Sequence, residues 1–207
     1  DDVAIWLSKA TQIKDCRLTA IGSNYHRPVT VNPQQGEPVP LLNGANEDVP
    51  SMSLADEAPF LLTTTASLTD LNGRLTVRGK DHVGMQRFRP NIVVHGTYAW
   101  EEDTWKRVRI GNQEFEVWQR CGRCSMTTID RETLERGPEP LATLSTFRER
   151  SHGQRNFGMH MIPIFPEATS KDTSEGSSSS LVNAGDTLEV LEYDEKRLEE
   201  WKRLFGI

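Results

Sequence analysis

Two β-prone runs, Trp105 to Ile110 and Glu114 to Trp118, stand on either side of Gly111-Asn112. Gly-Asn tolerates the positive φ angles of a tight hairpin turn, so the runs are predicted to pair as antiparallel neighbours. Much of the chain has the same texture. Phe60-Leu-Leu-Thr63, Ile92-Val-Val94, Met126-Thr-Thr-Ile129, Met159-His-Met-Ile162 and Leu188-Glu-Val-Leu-Glu192 all read as short strands, and Cys16 to Ile21 alternates like a half-buried one. Many short strands with few helices predict a mainly β fold, a barrel or sandwich whose end loops carry the chemistry.

Helical spacing is found in four places. Asp2 can cap a short helix over Ala4 to Lys9, and Ala66 to Arg74 sets Leu68, Leu71 and Leu75 on one face, with Asn72-Gly73 as its predicted end. Leu141 to Arg150 reads as helix after Glu139-Pro140, and Asp194 can cap a last helix with Leu198, Trp201, Leu204 and Phe205 on one face. The Pro-, Gly- and Asn-rich stretch from Tyr25 to Pro50 reads as loop. Ser170 to Ser180 is polar and low in complexity, so it is expected to be a mobile surface loop.

A chain of 207 residues accommodates one full core, with extensions. Its net charge of −6 supplies no global basic field, which argues against a nucleic-acid polymer as partner. Apolar runs fall far short of the roughly 20 residues a membrane span needs. The chain begins at Asp1 with neither an initiator Met nor a signal segment, and is expected to be a processed or truncated piece. Three cysteines make a poor disulfide framework, so a reducing cytoplasm is the expected compartment.

Two of those cysteines form Cys121-Gly-Arg-Cys124, with Arg120 just before it and Arg123 within it. Nearby positive charge favours thiolates, and soft sulfur suits soft or high-valent metals. Several readings stay open. A structural zinc site needs four ligands, and Cys16 and the five histidines show no matching spacing. A thioredoxin-like dithiol needs a helix after the pair, where Met126 to Ile129 reads as strand, and a [2Fe–2S] cluster needs more cysteines than are present. Simple packing is the plainest reading, but the flanking guanidinium groups are costly in a core and useful beside an anion. Gln86-Arg-Phe-Arg-Pro-Asn91 is equally a solvated strand entry or a preorganised loop for an anion, through Arg89 and Asn91. The acidic pair Asp56-Glu57 precedes a rigid Pro59 turn.

Taken in order, Asp56 to Leu62, Ala66 to Leu71, Phe88-Arg-Pro-Asn-Ile-Val-Val94, Trp100-Glu-Glu-Asp-Thr-Trp-Lys106, Cys121-Gly-Arg-Cys124 with Thr127-Thr128, Glu139 to Leu144, Phe157-Gly158 and Val182 to Asp186 resemble the MOSC domain. The branch they resemble is the YcbX-like one, which groups bacterial reductases of N-hydroxylated compounds with the mitochondrial amidoxime-reducing component. The resemblance implies a MOSC-type β-barrel with peripheral helices over residues 50–193. Residues 1–49 are then the end of an N-terminal domain and its linker, and residues 194–207 an amphipathic helix.

The resemblance also implies a molybdopterin-type molybdenum cofactor whose metal is ligated by Cys124, with Arg89, Asn91, Gly122 and Arg123 as cofactor contacts. Asp56 is implied near the metal as a catalytic or proton-relay group, and Cys121 is read as a thiol that either packs beside the ligand or supports it from behind. Gly122 stands where many members have Ser, and Glu57 and Ala58 where some have hydroxyl residues. The implied activity is reduction of small N-hydroxylated compounds, with electrons from an external ferredoxin- or flavin-type donor. The alternative is a non-catalytic MOSC module that carries sulfur or binds the cofactor.

Overall fold

A computed structural model describes residues 1–20, 57–150, 153–164 and 181–206, with backbone alone at 149–150. The expected hairpin is its centre. Strand β3 (Trp105–Ile110) and strand β4 (Gln113–Gly122) pair antiparallel, and Gly111 takes φ 56° at the turn. Strand β1 (Phe60–Thr64), β2 (Ile92–Val94), β5 (Glu149–Arg150), β6 (Gln154–Ile164) and β7 (Leu188–Tyr193) complete one sheet of order β2-β1-β6-β4-β3-β7, with β5 added to β6. Only β1 and β2 run parallel.

The sheet curls into a half-barrel. Ile92 and Val94 from one edge strand and Leu188 and Val190 from the other pack on the same buried cluster of Leu62, Trp105, Val108, Ile110, Phe115, Val117, Met159 and Met161. Burial of each such side chain is worth about 1.5–3 kcal/mol, and this cluster sets the curl. A second cluster joins the sheet to the helices. Leu71 and Leu75 of helix α2 (Thr65–Val77), Leu144 of the short helix α3 (Leu141–Leu144) and Trp201 of helix α4 (Glu195–Phe205) meet Val83, Phe88, Trp100 and Phe157. Helix α1 (Asp2–Thr11) buries no residue.

Several sequence expectations are corrected. Met126 to Ile129 is not a strand: Ser125–Thr128 forms a 3-10 turn. The hydroxyls of Thr127 and Thr128 bond back to the carbonyls of Cys124 (2.9 Å) and Ser125 (2.7 Å), offering the backbone an alternative to a sheet ladder. The expected helix from Leu141 to Arg150 stops at Leu144, where Ser145 and Thr146 make the same kind of bond and Glu149–Arg150 turns to pair with β6. Asn72-Gly73 lies inside α2 rather than at its end. Asn72 instead holds Val83 by its backbone N–H and carbonyl, and the helix runs on to Val77.

Residues 16–20 form no strand and lie mostly exposed, and Ile21 lies outside the described residues. The first helix is capped by Asp1, not Asp2. On the last helix, capped as expected by Asp194, Trp201 is buried but Leu204 is 71% exposed, so the apolar face is only partly covered. Ser170 to Ser180, Tyr25 to Pro50 and Asp56 lie outside the described residues.

Candidate functional site

Strand β4 ends where the chemistry begins. Its pairing with β6 is interrupted by bulges between Val117 and Gln119 and between Arg120 and Gly122. Bulges re-aim side chains at the rim of a sheet. The first leaves Gln119 opposite His160, the second leaves Gly122 opposite Asn156, and the chain then turns out to Cys124. Cys121 is buried and Cys124 is exposed, so the two sulfurs have different surroundings. The turn carrying Cys124 is pinned on both sides. The Arg123 N–H donates to Arg155 O (2.7 Å), and Thr127 returns its N–H (3.2 Å) and hydroxyl to Cys124 O.

The second sequence cluster lies against this turn. Residues 84–89 wind through a short 3-10 turn, Met85–Arg87, and are tied to the cysteine turn by three arginines. Arg123 Nη2 donates to Phe88 O (2.7 Å), Arg87 pairs with Asp130, and Arg131 donates to Gln86 O. Backbone N–H groups of Thr133 and Glu132, then Arg87, hold the Asp130 carboxyl below the usual range. Arg89 is exposed and sits at φ 53°, a left-handed backbone that costs a non-glycine residue stability. Asn91 clamps the loop to β1: its Oδ1 accepts from Leu61 N (2.8 Å) and its N–H donates to Leu61 O (2.9 Å).

The structure therefore brings Arg89, Asn91, Gly122, Arg123 and Cys124 to one end of the half-barrel. Asp56 is not described. Arg123 spends its two terminal nitrogens internally, on Phe88 O and on Cys121 Sγ (2.7 Å), while its buried Nε has no hydrogen-bond partner, nor has that of Arg155. Gly122 has ordinary space around it, the nearest atom to an added Cβ lying 3.6 Å away on Gln154.

Charged groups that no local motif brings together lie behind the turn. His160, buried on β6, lies 3.2 Å by Nε2 from Glu57 Oε2, and its ring rests against Cys121. The only signal was a polar residue inside the apolar run Met159 to Ile162. Asp103 was also missed: it takes both terminal nitrogens of Arg148 (2.6 and 2.9 Å) and Nε of Arg120 (2.8 Å), anchoring the strand one residue before Cys121. Among the described residues no group of three or more His, Cys, Asp or Glu side chains is placed to hold a metal ion. No described helix is long and apolar enough to cross a membrane.

A curled, mainly β sheet with helices at its periphery, displaying one exposed thiol on a pinned turn among arginines, defines a β-barrel domain with a cysteine-bearing rim. The MOSC domain model matches residues 50–189, and the chain belongs to the MOSC family. Its relatives include mitochondrial amidoxime-reducing component 1 of Mus musculus, 34% identical over 149 residues, covering 72% of this chain and 40% of the relative. Mitochondrial amidoxime reducing component 2 of Macaca fascicularis is 46% identical over 112 residues, 53% of this chain and 32% of the relative. Molybdenum cofactor sulfurase of Solanum lycopersicum is 32% identical over 196 residues, 90% of this chain but 23% of the relative. The chain thus spans well under half the length of each of these relatives.

Proposed function

We propose that this chain is the MOSC portion of a molybdenum-cofactor-dependent reductase of N-hydroxylated compounds, amidoximes and N-hydroxylated bases among them. The observation that carries the reading is the separation of the two sulfurs. Cys124 is exposed on a turn fixed by Arg155 and Thr127, where a large cofactor can reach it, while Cys121 is buried.

The donor set suits an anionic, molybdopterin-type group: a soft thiol, an exposed Arg89, and unpartnered buried Nε atoms on Arg123 and Arg155 beside it. Cys124 would hold the metal. Arg89 would neutralise phosphate, Asn91 would offer its amide, since its Oδ1 is already taken by β1, and Gly122 and Arg123 would shape the turn. Asp56 is proposed as a nearby proton-relay group. When bound, the cofactor supplies the two-electron oxygen-accepting chemistry, and the protein's part is binding, orientation and electrostatics. An external ferredoxin- or flavin-type donor is the proposed electron source.

The test is elemental analysis of protein from a cofactor-producing host, paired with turnover of an amidoxime by a reduced artificial donor. Near-stoichiometric molybdenum, lost in Cys124→Ala and kept in Cys16→Ala, is expected. Absence of metal and of turnover in the wild-type protein would overturn the reading.

The long match to a molybdenum cofactor sulfurase favours a second reading, a sulfur-carrying MOSC module without reductase activity. That reading expects a persulfide on Cys124, found by mass spectrometry after alkylation, and no turnover.

A further inference from the structure

Behind the exposed Cys124, four side chains from separate parts of the chain form an alternating line of charge. Glu57, ahead of β1, is half-exposed; His160, on the central strand β6, is 7% exposed; Cys121, near the end of β4, is 6% exposed; Arg123 follows on the turn. The sheet register makes this arrangement. His160 lies opposite Leu61 of β1 and Gln119 of β4, so the chain just before β1 brings in Glu57, and Cys121 stands two residues beyond Gln119. Gln119 Nε2 donates to Glu57 Oε2 (3.3 Å) and steadies the carboxylate that His160 Nε2 approaches to 3.2 Å. The contact is one of charge rather than of a linear hydrogen bond, because neither ring nitrogen of His160 has a well-aligned partner.

Arg123 sets the sign of the line. A guanidinium does not lose its proton in a protein, and Arg123, partly buried with its Nε fully enclosed, is stabilised by an anion placed against it. Among the described residues Arg123 makes no ion pair with a carboxylate; its terminal nitrogens go to Phe88 O and to Cys121 Sγ, each at 2.7 Å. Sulfur is the anion in direct contact, with the Glu57 carboxylate further along the line and also within reach of the Arg123 charge. His160 lies between the sulfur and Glu57.

We propose that Cys121 is a thiolate, its proton resting on His160, and that this buried charge is what holds the Arg123 guanidinium inward and so fixes the turn presenting Cys124. Cys121 is thus a positioning residue, not a spare thiol, and His160 and Glu57 act through it. No redox step is involved: one proton moves from Sγ to the imidazole and stays there. The electrostatics agree with the geometry. Against burial, which pushes the Cys121 thiol up, the closeness and charge of His160, followed by Arg123, bring it below its ordinary value. Against burial in the other direction, Cys121 and Glu57 lift His160 from 6.5 to about 9. Glu57 in turn is held down by His160 first, against its own burial. The consequence for Cys124 as a metal ligand rests on the reductase reading; the charge state does not.

The experiment uses cofactor-free protein, so its failure is separable from failure of that reading. Imidazole 15N shifts should show His160 charged up to about pH 9, with the midpoint falling back towards 6.5 in Cys121→Ser. At pH 7 the S–H stretching band should be the same in Cys121→Ser as in the wild-type protein, because Cys121 carries no S–H. The Arg123 guanidinium protons should exchange slowly in the wild-type protein and fast in Cys121→Ser. Should that variant fail to fold, Glu57→Gln, a change at a half-exposed position, must still lower the His160 midpoint. A neutral His160 at pH 7, a thiol band that loses one cysteine's share in Cys121→Ser, or Arg123 protons whose exchange is the same in both proteins would overturn the proposal.

Discussion

Replacing Glu102 by Gln should change how stability depends on pH, not merely how large it is. Glu102 is fully buried at the junction of β1 and α2, where its Oε2 accepts from Ser67 (2.8 Å) and Thr64 (3.1 Å) while Ser67 also receives the Trp100 N–H (2.7 Å). Loss of water around the carboxyl, then repulsion from Asp103, lifts it from 4.5 to about 7, against the opposing bond from Ser67. At about 1.4 kcal/mol for each pH unit, that gap is worth about 3 kcal/mol. The sign follows from which state holds the proton. Below pH 4.5 both folded and unfolded chains keep it, and Glu102 imposes no titration cost. Between 4.5 and about 7 the unfolded chain releases it while the folded chain retains it, so stability falls as pH rises, and above about 7 the whole cost is present. Gln cannot titrate. Its amide N–H₂ occupies the place of Oε1, which has no partner, and adds a constant penalty that cancels when two pH values are compared. Urea unfolding of both proteins at about pH 4 and about pH 8 should show Glu102→Gln gaining about 3 kcal/mol on the wild-type protein between the two conditions. Parallel stability curves would refute the reasoning and place the proton elsewhere.

Asp103→Ala strips the anion from Arg120 and Arg148 together, both nearly buried, and should cost about 3–5 kcal/mol in the same unfolding assay. The loss should be concentrated at the β4 end that carries the cysteine turn, visible as faster amide exchange at Cys121 and Gly122. Arg89→Gly removes a charge and a left-handed strain in one step, so it should leave stability unchanged or raise it by up to about 1 kcal/mol. Molybdenum retention by the same variant should fall, which a residue of purely structural value would not produce.

How much of this was legible in the sequence depended on the range of the interaction involved. The β3–β4 hairpin was readable because its turn is local: Gly111 takes a positive φ and the two flanking runs are joined by only two residues. The Thr127–Thr128 run was misread for a related reason. β-branched residues favour strands, yet a threonine hydroxyl can close a turn by bonding a carbonyl three residues back, and no periodicity distinguishes the two outcomes. The grouping of Arg89, Asn91 and Cys124 came from a pattern of motifs, not from any one of them. The segments that carry these residues are tied to their neighbours by contacts 30 or more residues apart, such as Asn91 on Leu61 and Arg123 on Phe88, which no local pattern reveals. His160 against Glu57 was out of reach, because it needs the β1–β6–β4 register, with its bulge at Val117/Gln119, before the two side chains can be placed together.

That register also changes what the arginines of the motif mean. Read along the chain, Arg87, Arg89, Arg120 and Arg123 look like one basic patch for an anion. Read in space, Arg120 is spent on Asp103, Arg87 on Asp130, and Arg123 on Cys121 and Phe88. Each of these contacts ties backbone on one side of the Cys124 turn, and the Arg120–Asp103 pair is shielded from solvent enough for its charge to matter most. Arg89, exposed, making no ion pair among the described residues and held in a strained conformation beside Pro90, is the guanidinium left to face outward. In the proposed site, the positive charge for the cofactor sits on Arg89, where the backbone is strained, and Arg87, Arg120 and Arg123 serve as internal struts. Removing a strut should therefore loosen the turn, whereas removing Arg89 should leave the fold intact and weaken only what the turn holds.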